Sequence, residues 1–581
     1  MPHKVKADPL QEEVDLYAPF TSDTILEVRT GKMKPLRGLA VQSGIDKTLR
    51  EGPVRVTELG LEGDEHDPTF HGGIDKAIHG YCSSHYATWR AEYPSAADAF
   101  QPGGFGENLV TCHLNERNLC IGDTVSISPP NAGPDAEPPV LLQVSLPRQP
   151  CFKLNHRFQL KNFAPVTWKT SRTGWYFRVL QPGTVRAGDV IHLVERPHPE
   201  WTIERVQEYL HRNTEDHAMN ETLAAIEELG AEARDAFRAR VVRHRARERR
   251  KAREQAGTGG EDGKGDRARR RWKEYRVVGR TSQTSRIVSF VFEAVEPLRE
   301  DGEEEVQLKP GAHARIRLGN GLVRAYSIVG GDRNRFQIGV ALDEKSRGGS
   351  RYLHEAVQVG HMVQVDAITN AVPVATAASN HIFVAGGVGI TAFLALFEHY
   401  KRIHYSATLH YAVRSAEDVP FRERLAKLGD DVVIYDKAAG QRLNIRRIIE
   451  AMPWNSQLYF CGPKRLMDEA ARETKAHGIA EKEVHFEAFE ADVSGDPFEV
   501  VVANKGGKTL KVGEEETLLE CLQREFGEVD SSCCVGNCGT CRVGLKEGRV
   551  DHRGTALMEE EKATSMLACV SRGIGRITIE I

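Results

Sequence analysis

The chain has 581 residues, enough for three to five domains, and its composition is that of an ordinary globular protein. A formal net charge of −4 gives it no general attraction to nucleic acid or to acidic membranes. Eleven cysteines, an odd number, favour a reducing, cytoplasmic compartment over a disulfide framework. We expect no membrane association, because the N-terminus lacks an apolar signal segment and the most apolar run, residues 382–397, is short and interrupted by glycines.

Residues 1–195 contain short apolar runs separated by Gly, Pro and Asp, which predicts mostly β structure. Within them, Cys151 is flanked by Pro150 and Phe152, with Arg148 and Lys153 close by. Cationic neighbours favour the thiolate form of a cysteine, and a thiolate is a soft metal ligand. For Cys151 alone, burial as a small hydrophobic residue is the simpler interpretation.

Four segments of this region, residues 60–81, 103–109, 146–154 and 172–189, together resemble the MOSC domain, the C-terminal type of molybdenum cofactor sulfurases. The similarity is to the short bacterial subfamily linked to resistance against N-hydroxylated purines. It implies a β-barrel-like fold holding a pyranopterin-bound molybdenum, with Cys151 as metal ligand and catalytic residue and Arg148 on the cofactor phosphate. Further polar residues at motif positions of the family are Lys47, His71, Asp75, Lys76, Glu107 and Asn108. For His71 and Lys76, hydrogen bonding within a turn is the alternative.

Residues 196–270 are predicted to form a helical tail followed by a linker. Residues 201–212 and 219–229 have helical spacing, residues 238–255 are strongly basic, and residues 257–266 have a flexible composition. A basic segment can bind phosphate backbones, but this one lacks aromatic residues for stacking on bases. We therefore interpret it as a solvated helix, with contact to the acidic stretch 300–305 or to an acidic partner as a further option.

Residues 271–372 show alternating apolar runs typical of a small antiparallel barrel. They include Arg324, Tyr326 and Ser327 in the sequence RAYS. Residues i and i+2 of a strand share a face, so Arg324 and Tyr326 can contact one ligand. Downstream, Gly348, Gly349 and Ser350 begin a predicted helix, whose N-terminus attracts phosphate.

Residues 373–490 alternate strands, glycine turns and helices, which predicts a parallel α/β sheet. Ligands of such sheets bind beyond the carboxyl ends of the strands, where the glycine turns fall. The turn AGGVGIT lacks the full dinucleotide fingerprint and is weak evidence alone.

Residues 496–581 carry cysteines in a spacing typical of a plant-type [2Fe–2S] site: Cys533, Cys538 and Cys541, then Cys569 after 27 intervening residues. Cys534 lies off this spacing, and Cys521 falls in a predicted helix. A structural zinc site is the alternative, but zinc sites usually use two pairs of cysteines two residues apart. The surrounding short strands are consistent with a β-grasp ferredoxin.

From residue 271 onward the chain resembles the phthalate dioxygenase reductase family, on the RAYS and glycine–serine motifs, AGGVGIT, and DHRGTAL before Cys569. The resemblance implies that a flavin binds at Arg324, Tyr326, Ser327 and Gly348–Ser350, and FMN is favoured over FAD. It also implies that a further set of residues binds NAD. That set comprises Gly386, Gly387, Gly389 and Thr391 at the pyrophosphate, Arg414 and Ser415 at the adenosine, Cys461, Gly462 and Pro463 at the nicotinamide, and Glu487 and Phe489 on a closing strand near the flavin. Acidic Glu417 and Asp418 favour NADH over NADPH. We treat Cys461 as shaping hydride transfer, not as a nucleophile.

The sequence thus predicts a multidomain α+β and α/β protein in five parts: MOSC β-barrel (1–195), helical tail and linker (196–270), flavin barrel (271–372), NAD domain (373–490) and ferredoxin (496–581). We expect electrons to pass from NADH through FMN and the [2Fe–2S] cluster to molybdenum, which would reduce an N-hydroxylated small-molecule substrate. The first alternative is a reductase serving a separate oxygenase. The second is a MOSC part acting as a cofactor-binding or carrier module, or a basic linker that binds nucleic acid. Contact between cluster and molybdenum within a homodimer is a further option.

Overall fold

A computed structural model describes residues 15–36, 38–39, 41–67, 72–131, 137–256, 272–298, 306–343, 348–370, 375, 377–489, 493–527, 529–531, 534–536, 539–554 and 556–581. His71, Cys533, Cys538, the linker 257–266 and the acidic stretch 300–305 lie outside these residues. The chain divides into two compact units, one mainly from residues up to Arg253 and the other mainly from Glu254 onward.

The first unit is built on a closed ring of strands. Strands alternate buried and exposed residues, as in β1, where every second side chain at the start faces the core. The ring runs β13-β9-β10-β11-β7-β8-β1 and closes through pairing of β1 with β13. The strands are β1 (Ser22–Thr30), β2 (Lys34–Pro35), β3 (Gln42–Ser43), β4 (Thr48–Leu49), β5 (Val54–Thr57), β6 (Gly60–Leu61), β7 (Ile78–Cys82), β8 (Leu109–Thr111), β9 (Thr124–Ser128), β10 (Val140–Pro147), β11 (Trp175–Gln181), β12 (Gly183–Val185) and β13 (Val190–Glu195).

The helices of this unit cover the ring and extend it. Phe237 of the last helix is fully buried in the core of the ring, so the helical tail packs onto the barrel through its first turns. The predicted segment 201–212 forms a short α-helix that continues as one π-helical turn, Glu208–Arg212. The α-helices are α1 (Ser84–Glu92), α2 (Phe152–Phe158), α3 (Phe163–Lys169), α4 (Ile203–Gln207), α5 (His217–Ala224) and α6 (Ala231–Ala256).

The second unit begins with a closed antiparallel barrel in the order β14-β15-β18-β17-β16-β19. Its interior is filled by apolar side chains that alternate along each strand, such as Ala314 and Ile316. The elements are β14 (Lys273–Ser282), β15 (Ile287–Ala294), β16 (Ala312–Arg317), β17 (Val323–Gly331), β18 (Arg335–Ala341), α7 (Gly349–Glu355) and β19 (Met362–Asn370).

A parallel sheet of order β22-β21-β20-β23-β24 follows. Strand β20 is buried along its whole length, as expected for a central strand covered on both faces. The strand order reverses between β20 and β23, and such a switch point is where open α/β sheets bind ligands. The elements are β20 (Asn380–Gly386), α8 (Ile390–Arg402), β21 (Ser406–Val413), α9 (Arg422–Ala426), β22 (Val432–Asp436), α10 (Ile445–Glu450), β23 (Ser456–Cys461), α11 (Lys464–Ala476) and β24 (Val484–Phe486).

The last sheet has the order β26-β25-β29-β27-β28, with β25 and β29 parallel. Its helix starts at a capping box, in which Thr517 and Glu520 satisfy each other's backbone amides. The elements are β25 (Phe498–Val502), β26 (Lys508–Val512), α12 (Leu518–Phe526), β27 (Arg542–Asp551), α13 (Glu559–Lys562), β28 (Ser565–Leu567) and β29 (Arg572–Glu580).

These sheets confirm the predicted fold class: two closed barrels, a parallel α/β sheet and a ferredoxin-type domain. In the described part of the chain, every helix is too short or too polar to traverse a lipid bilayer.

Candidate functional site

In the first unit, a cleft with about 570 Å³ of empty space, counted to its open mouth, surrounds Cys151. The half-buried Cys151 occupies the position just before α2, and Arg148 follows the end of β10. The lining residues are Ser43, Gly44, Ile45, Lys47, Glu65, His66, Asp67, Gly72, Lys76, His79, Phe105, Gly106, Asn108, Arg148, Cys151, Lys153 and Tyr176. The structure therefore brings five predicted site residues together here: Lys47, Lys76, Asn108, Arg148 and Cys151.

Arg148 is a buried charged residue of this cleft whose hydrogen-bond donors are only partly satisfied. It is 4% exposed; its Nη2 donates to the Phe105 carbonyl at 3.3 Å, while Nε and Nη1 have no hydrogen-bond partner among the described residues. Nearby His79, also buried, has an unpartnered Nε2 within the same described set. Burial and the positive charge of Arg148 lower the pKa of His79 well below its usual value, so the imidazole is neutral. Arg148 thus presents a desolvated positive charge with free donors, which an anionic ligand would satisfy.

Lys47 lies in a buried network organised by Asp64, a residue that sequence reasoning missed. Lys47 Nζ pairs with the Asp64 carboxylate, which also accepts from Asn108 Nδ2 at 2.9 Å and from the Gly31 amide at 2.8 Å. Burial lowers the pKa of Lys47, and the charge of Asp64 opposes that shift. The pairing leaves Lys47 nearly neutralised, so Arg148 carries more of the net positive charge of the cleft.

Other predicted polar residues hold the architecture. Glu107 accepts from Tyr86 Oη and the Gly103 amide, each at 2.6 Å, and from the Phe105 amide. Asn108 binds the His79 amide at 3.0 Å as well as Asp64. Asp75 accepts from Arg178 at 2.7 Å and from the Ala231 amide at the start of α6. Lys76 pairs with Glu232 of the same helix, so the turn carrying Asp75 and Lys76 anchors the helical tail.

The cleft fits the group implied by a MOSC fold in two respects. Cys151 offers one soft donor, and the unpartnered atoms of Arg148 offer a place for a phosphate. Among the described residues, no three His, Cys, Asp or Glu side chains converge in a way that could hold a metal ion. Of the residues that the structure describes, Cys151 is therefore the candidate thiolate for a molybdenum, whose pterin and oxygen ligands would come with the cofactor.

In the second unit, β17 presents the predicted flavin motif beside the start of α7. A Cβ on Gly349 would lie 2.9 Å from Cγ of Arg324, so this side chain packs directly over the glycine turn. Gly348, at φ 90°, makes the turn before the helix possible. Tyr326 is partly buried, and burial raises its pKa, which keeps the phenol protonated. The cationic end and aromatic ring on one strand fit a flavin phosphate and its ring system.

The turns after β20 and β23 approach each other backbone to backbone. A Cβ on Gly389 would lie 2.3 Å from the Cys461 carbonyl oxygen, and one on Gly462 would lie 3.1 Å from the Gly386 nitrogen. Gly386 also lies against Pro463, where a Cβ would meet Cδ at 2.9 Å. A side chain at Gly389 would collide with backbone, and the two closely packed glycine turns form a cradle of the kind that suits a pyrophosphate. Gly387 is held by its carbonyl, which accepts from Tyr411 Oη at 2.8 Å.

The remaining predicted NAD residues divide between the cradle and its surroundings. Cys461 is buried, and burial together with the charge of Glu487 raises its thiol pKa well above the usual value, which excludes a thiolate nucleophile. Thr391 is 2% exposed, and its hydroxyl donates to the Val388 carbonyl at 2.9 Å. It packs on Gly339 of the flavin barrel instead of facing an open cradle. Glu487 extends β24 through a bond to the Phe460 carbonyl, and Phe489 beyond it is exposed.

Arg414 and Ser415 follow the end of β21, at the edge where the glycine turns lie. Arg414 is exposed, and Ser415 Oγ donates to Asp418 at 3.2 Å. The acidic Asp418 therefore lies next to the predicted adenosine position.

The cluster site is described in part. Cys541 and Cys569 are buried, with their Sγ atoms 3.1 Å apart. That distance is too long for a disulfide, which needs about 2.05 Å, and it brings the two sulfurs close enough to face one metal ion. Gly536, at φ 82°, lies against the Gly554 backbone and closes the loop. Cys534, which lies off the predicted ligand spacing, is exposed, and Cys521 of α12 is buried in the core.

Four family profiles match the chain in this order. They are the MOSC domain at residues 67–192 and the YiiM-like 3-alpha helix domain at 201–243. The dimethylamine monooxygenase subunit DmmA-like N-terminal domain matches residues 368–484, and the 2Fe-2S iron-sulfur cluster binding domain matches 501–572.

A protein named reductase from Gibberella moniliformis is 36% identical over 575 residues, covering 96% of this chain and 95% of the relative. The carnitine monooxygenase reductase subunit of Escherichia coli is 34% identical over 303 residues, 48% of this chain and 94% of the subunit. The solved structure of phthalate dioxygenase reductase is 27% identical, covers 54% of this chain and 99% of that chain, and has a TM-score of 0.43. The 36% identity to the Gibberella reductase over nearly the whole of both chains shows that this chain belongs to the same reductase family, in which a MOSC domain and a YiiM-like three-helix domain precede an NAD(P)H-dependent iron–sulfur flavoprotein oxidoreductase module.

Proposed function

We propose that this protein accepts a hydride from NADH and delivers electrons singly, through FMN and a [2Fe–2S] cluster, to a separate oxygenase component. The observation that carries the proposal is that one compact unit holds the Arg324–Gly349 contact, the Gly389–Cys461 cradle and the Cys541–Cys569 pair. The similarity to a carnitine monooxygenase reductase subunit, which by its name serves a monooxygenase, supports an oxygenase as acceptor.

A bound flavin supplies the conversion of one two-electron hydride into single electrons, which a one-electron cluster requires. The chain's own residues bind and orient. Arg324 would hold the phosphate and Tyr326 the flavin ring, while Ser327 would lie near the redox edge. The cradle would hold the pyrophosphate, and the protonated Cys461 gives the nicotinamide end a small, uncharged wall. We propose FMN because the glycine–serine turn lies under Arg324, and NADH because Asp418 would repel a 2′-phosphate.

Contacts between the flavin barrel and the parallel sheet support direct hydride transfer. Arg424 Nη2 donates to the Val329 carbonyl of β17 and to Glu398 of α8, each at 2.6 Å. The Phe421 amide donates to Gln283 Oε1 of the region after β14 at 3.0 Å. These bonds fix the strand carrying the flavin motif against the sheet carrying the cradle.

We also propose the five-part division of the chain and the cytoplasmic location predicted above. The homodimer stays a prediction.

A second candidate acceptor lies within the same chain, at the cleft around Cys151. The specific observation in its favour is Arg148, whose buried Nε and Nη1 lack partners among the described residues and would be satisfied by a cofactor phosphate. Such a group, held by Cys151 and Arg148, would supply reduction of N–O bonds in N-hydroxylated bases or amidoximes. This is the reaction implied by the resemblance to the MOSC subfamily.

One experiment separates the two acceptors. Purified protein from molybdate-supplemented cells is assayed for NADH consumption with N-hydroxylated adenine, in the absence of any partner protein, alongside NADH-driven reduction of cytochrome c. For a separate oxygenase, cytochrome c is reduced and the hydroxylated base causes no extra NADH consumption. The opposite result is NADH consumption that requires the hydroxylated base, disappears in Cys151→Ser and Arg148→Met, and persists in Cys112→Ser. That result would show that the electron acceptor is the cleft around Cys151 and not a separate oxygenase.

A further inference from the structure

Arg315 connects the flavin barrel to the segment leading into the cluster loop. Its Nη2 atom donates to Ser531 Oγ at 3.4 Å, and its Nη1 atom donates to Asp366 Oδ2 at 2.9 Å. Arg315 lies on β16 and Asp366 on β19, which are paired strands of the barrel. One end of the guanidinium is therefore fixed to the barrel, and the other contacts the ferredoxin-type domain.

The contact is shielded from water. Ser531 is 2% exposed, and the side chain of Asp366 is also 2% exposed. Ser531 Oγ receives a second bond from Gln523 Nε2 of α12 at 3.3 Å. A hydroxyl held from two sides in a dry environment has little freedom to move, because water cannot readily replace either donor.

Arg315 and Ser531 each lie close in sequence or strand pairing to a predicted redox site. Arg315 lies directly opposite Ala325 on the neighbouring strand β17, and Ala325 lies between Arg324 and Tyr326 of the flavin motif. Ser531 lies two residues before Cys533, the first predicted cluster ligand. The Arg315–Ser531 bond thus joins β16, the strand paired with the flavin-motif strand β17, to the segment that leads into the predicted cluster loop.

We infer that Arg315 is a positioning residue for electron transfer, fixed by Asp366 and holding the cluster loop through Ser531 at one place against the flavin barrel. The inference rests on the proposed passage of electrons from flavin to cluster. The rate of electron transfer falls steeply with distance, so a loop released by even a small displacement would receive electrons more slowly.

Arg317 provides a matched control on the same strand. It lies two residues from Arg315, so its side chain leaves the strand on the same face. Its guanidinium stacks over Trp272 at 3.9 Å and Nη1 donates to Gln364 at 3.2 Å, contacts that stay within the barrel. Replacing Arg317 removes an arginine of the same barrel without removing the bond to Ser531.

The test compares full-length Arg315→Gln and Arg317→Gln with the unmodified protein, each loaded with flavin and cluster. Rapid mixing with NADH follows flavin reduction by absorbance, and rapid freezing follows cluster reduction by electron paramagnetic resonance. We expect Arg315→Gln to slow cluster reduction by about tenfold while flavin reduction stays within about twofold. Arg317→Gln should leave both rates unchanged. Equal slowing of cluster reduction in the two variants, or no slowing in Arg315→Gln, would overturn the inference.

A second readout does not depend on turnover. Amide hydrogen exchange in residues 523–531, measured without NADH, should be faster in Arg315→Gln than in the unmodified protein and unchanged in Arg317→Gln. Because loss of Arg315 leaves Asp366 buried without its cation, Ser531→Ala tests the same contact with the ion pair intact. Ser531→Ala should show the same faster hydrogen exchange as Arg315→Gln. If its hydrogen exchange and its rate of cluster reduction equal those of the unmodified protein, the positioning role of Arg315 is refuted.

Failure of the underlying function has a different signature. If NADH reduces the flavin of the unmodified protein and never the cluster, the proposed electron path is wrong whatever Arg315 does. If the unmodified protein transfers electrons to the cluster normally and Arg315→Gln does so at the same rate, only the positioning role is wrong.

Discussion

The Sγ atoms of Cys541 and Cys569 lie 3.1 Å apart, although 28 positions separate the residues in the chain. Two thiolates at about 2.3 Å from one tetrahedral metal lie about 3.7 Å apart, which is about 0.6 Å more than the separation of these two sulfurs. The strand pairing of β27 with β28 fixes this approach, because Arg542 lies opposite Leu567. The two residues can therefore share one iron.

Removal of one of these thiols should remove the cluster. We expect Cys569→Ala to retain less than a tenth of the iron and of the reduced-cluster resonance signal, with NADH-driven flavin reduction preserved, because the flavin and NAD residues lie on other sheets. Iron and sulfide analysis with resonance spectroscopy measures this. Cys534→Ala, at the exposed off-spacing thiol, is the control and should keep its full iron content. A Cys569→Ala protein with a full cluster would contradict the assignment.

Gly389→Ala should damage the nucleotide cradle. The backbone of Gly389, at φ −56°, accepts any residue, so the problem is purely steric: its Cβ would lie 2.3 Å from the Cys461 carbonyl oxygen. Separating the two turns should cost about 1–3 kcal/mol of stability, as overpacking does, and raise the KM for NADH. Denaturant unfolding and steady-state kinetics measure the two effects. Gly544→Ala, whose Cβ would make ordinary contacts at 3.7 Å, should change neither.

Arg324→Ala should weaken flavin binding without unfolding the barrel. A charge-assisted bond to phosphate is worth about 1.5–3 kcal/mol, so we expect the Kd to rise roughly 10- to 100-fold. Fluorescence titration of flavin-free protein measures it, with FMN and FAD compared, and FMN should bind more tightly. Arg335→Ala, which removes an exposed ion pair with Glu293 in the same barrel, should leave the affinity unchanged. An unchanged Kd for Arg324→Ala would remove Arg324 from the site.

The parallel sheet should lose stability in mild acid because of His381. Burial, with the nearby charge of His485, lowers the pKa of His381 to about 3, and its ring stacks on Tyr400 at 3.8 Å. Between pH 6.5 and 3 the unfolded state binds the proton and the folded state does not, so stability falls as the pH falls. The loss from this one residue is about 2 kcal/mol at pH 5 and vanishes above pH 7.

His381→Gln isolates this contribution, since an amide can still accept from Tyr459 Oη, which lies 3.1 Å from Nδ1. The variant should lose less stability than the unmodified protein between pH 7.5 and 5. Hydrogen exchange of the strand Asn380–Gly386 reports it residue by residue in this multidomain chain. Parallel loss of protection in both proteins would show that His381 is not responsible.

The local sequence determined the features that depend on spacing along the chain. The spacing of Cys533, Cys538 and Cys541, the RAYS strand and the glycine turns are each patterns of a few neighbouring residues, and a strand or turn of this kind is expected to present its residues on one face. The alternation of apolar residues predicted the barrel of residues 271–372, the resemblance to the MOSC domain implied the first barrel, and the strand–helix alternation predicted the parallel sheet. Their order along the chain indicated an electron-transfer protein.

Tertiary structure decided which polar residues are available for ligands, because this depends on partners far away in sequence. Asp64 forms an ion pair with Lys47. Glu107 and Asn108 accept hydrogen bonds from backbone amides, and Thr391 is buried against the flavin barrel. Arg148 keeps free donors because its described neighbours supply acceptors for only part of its guanidinium. The Arg315–Ser531 bond joins residues 216 positions apart, and no local pattern contains such a distance. Periodicity records which face a side chain occupies, whereas hydrogen-bond saturation depends on what the folded chain places opposite that face.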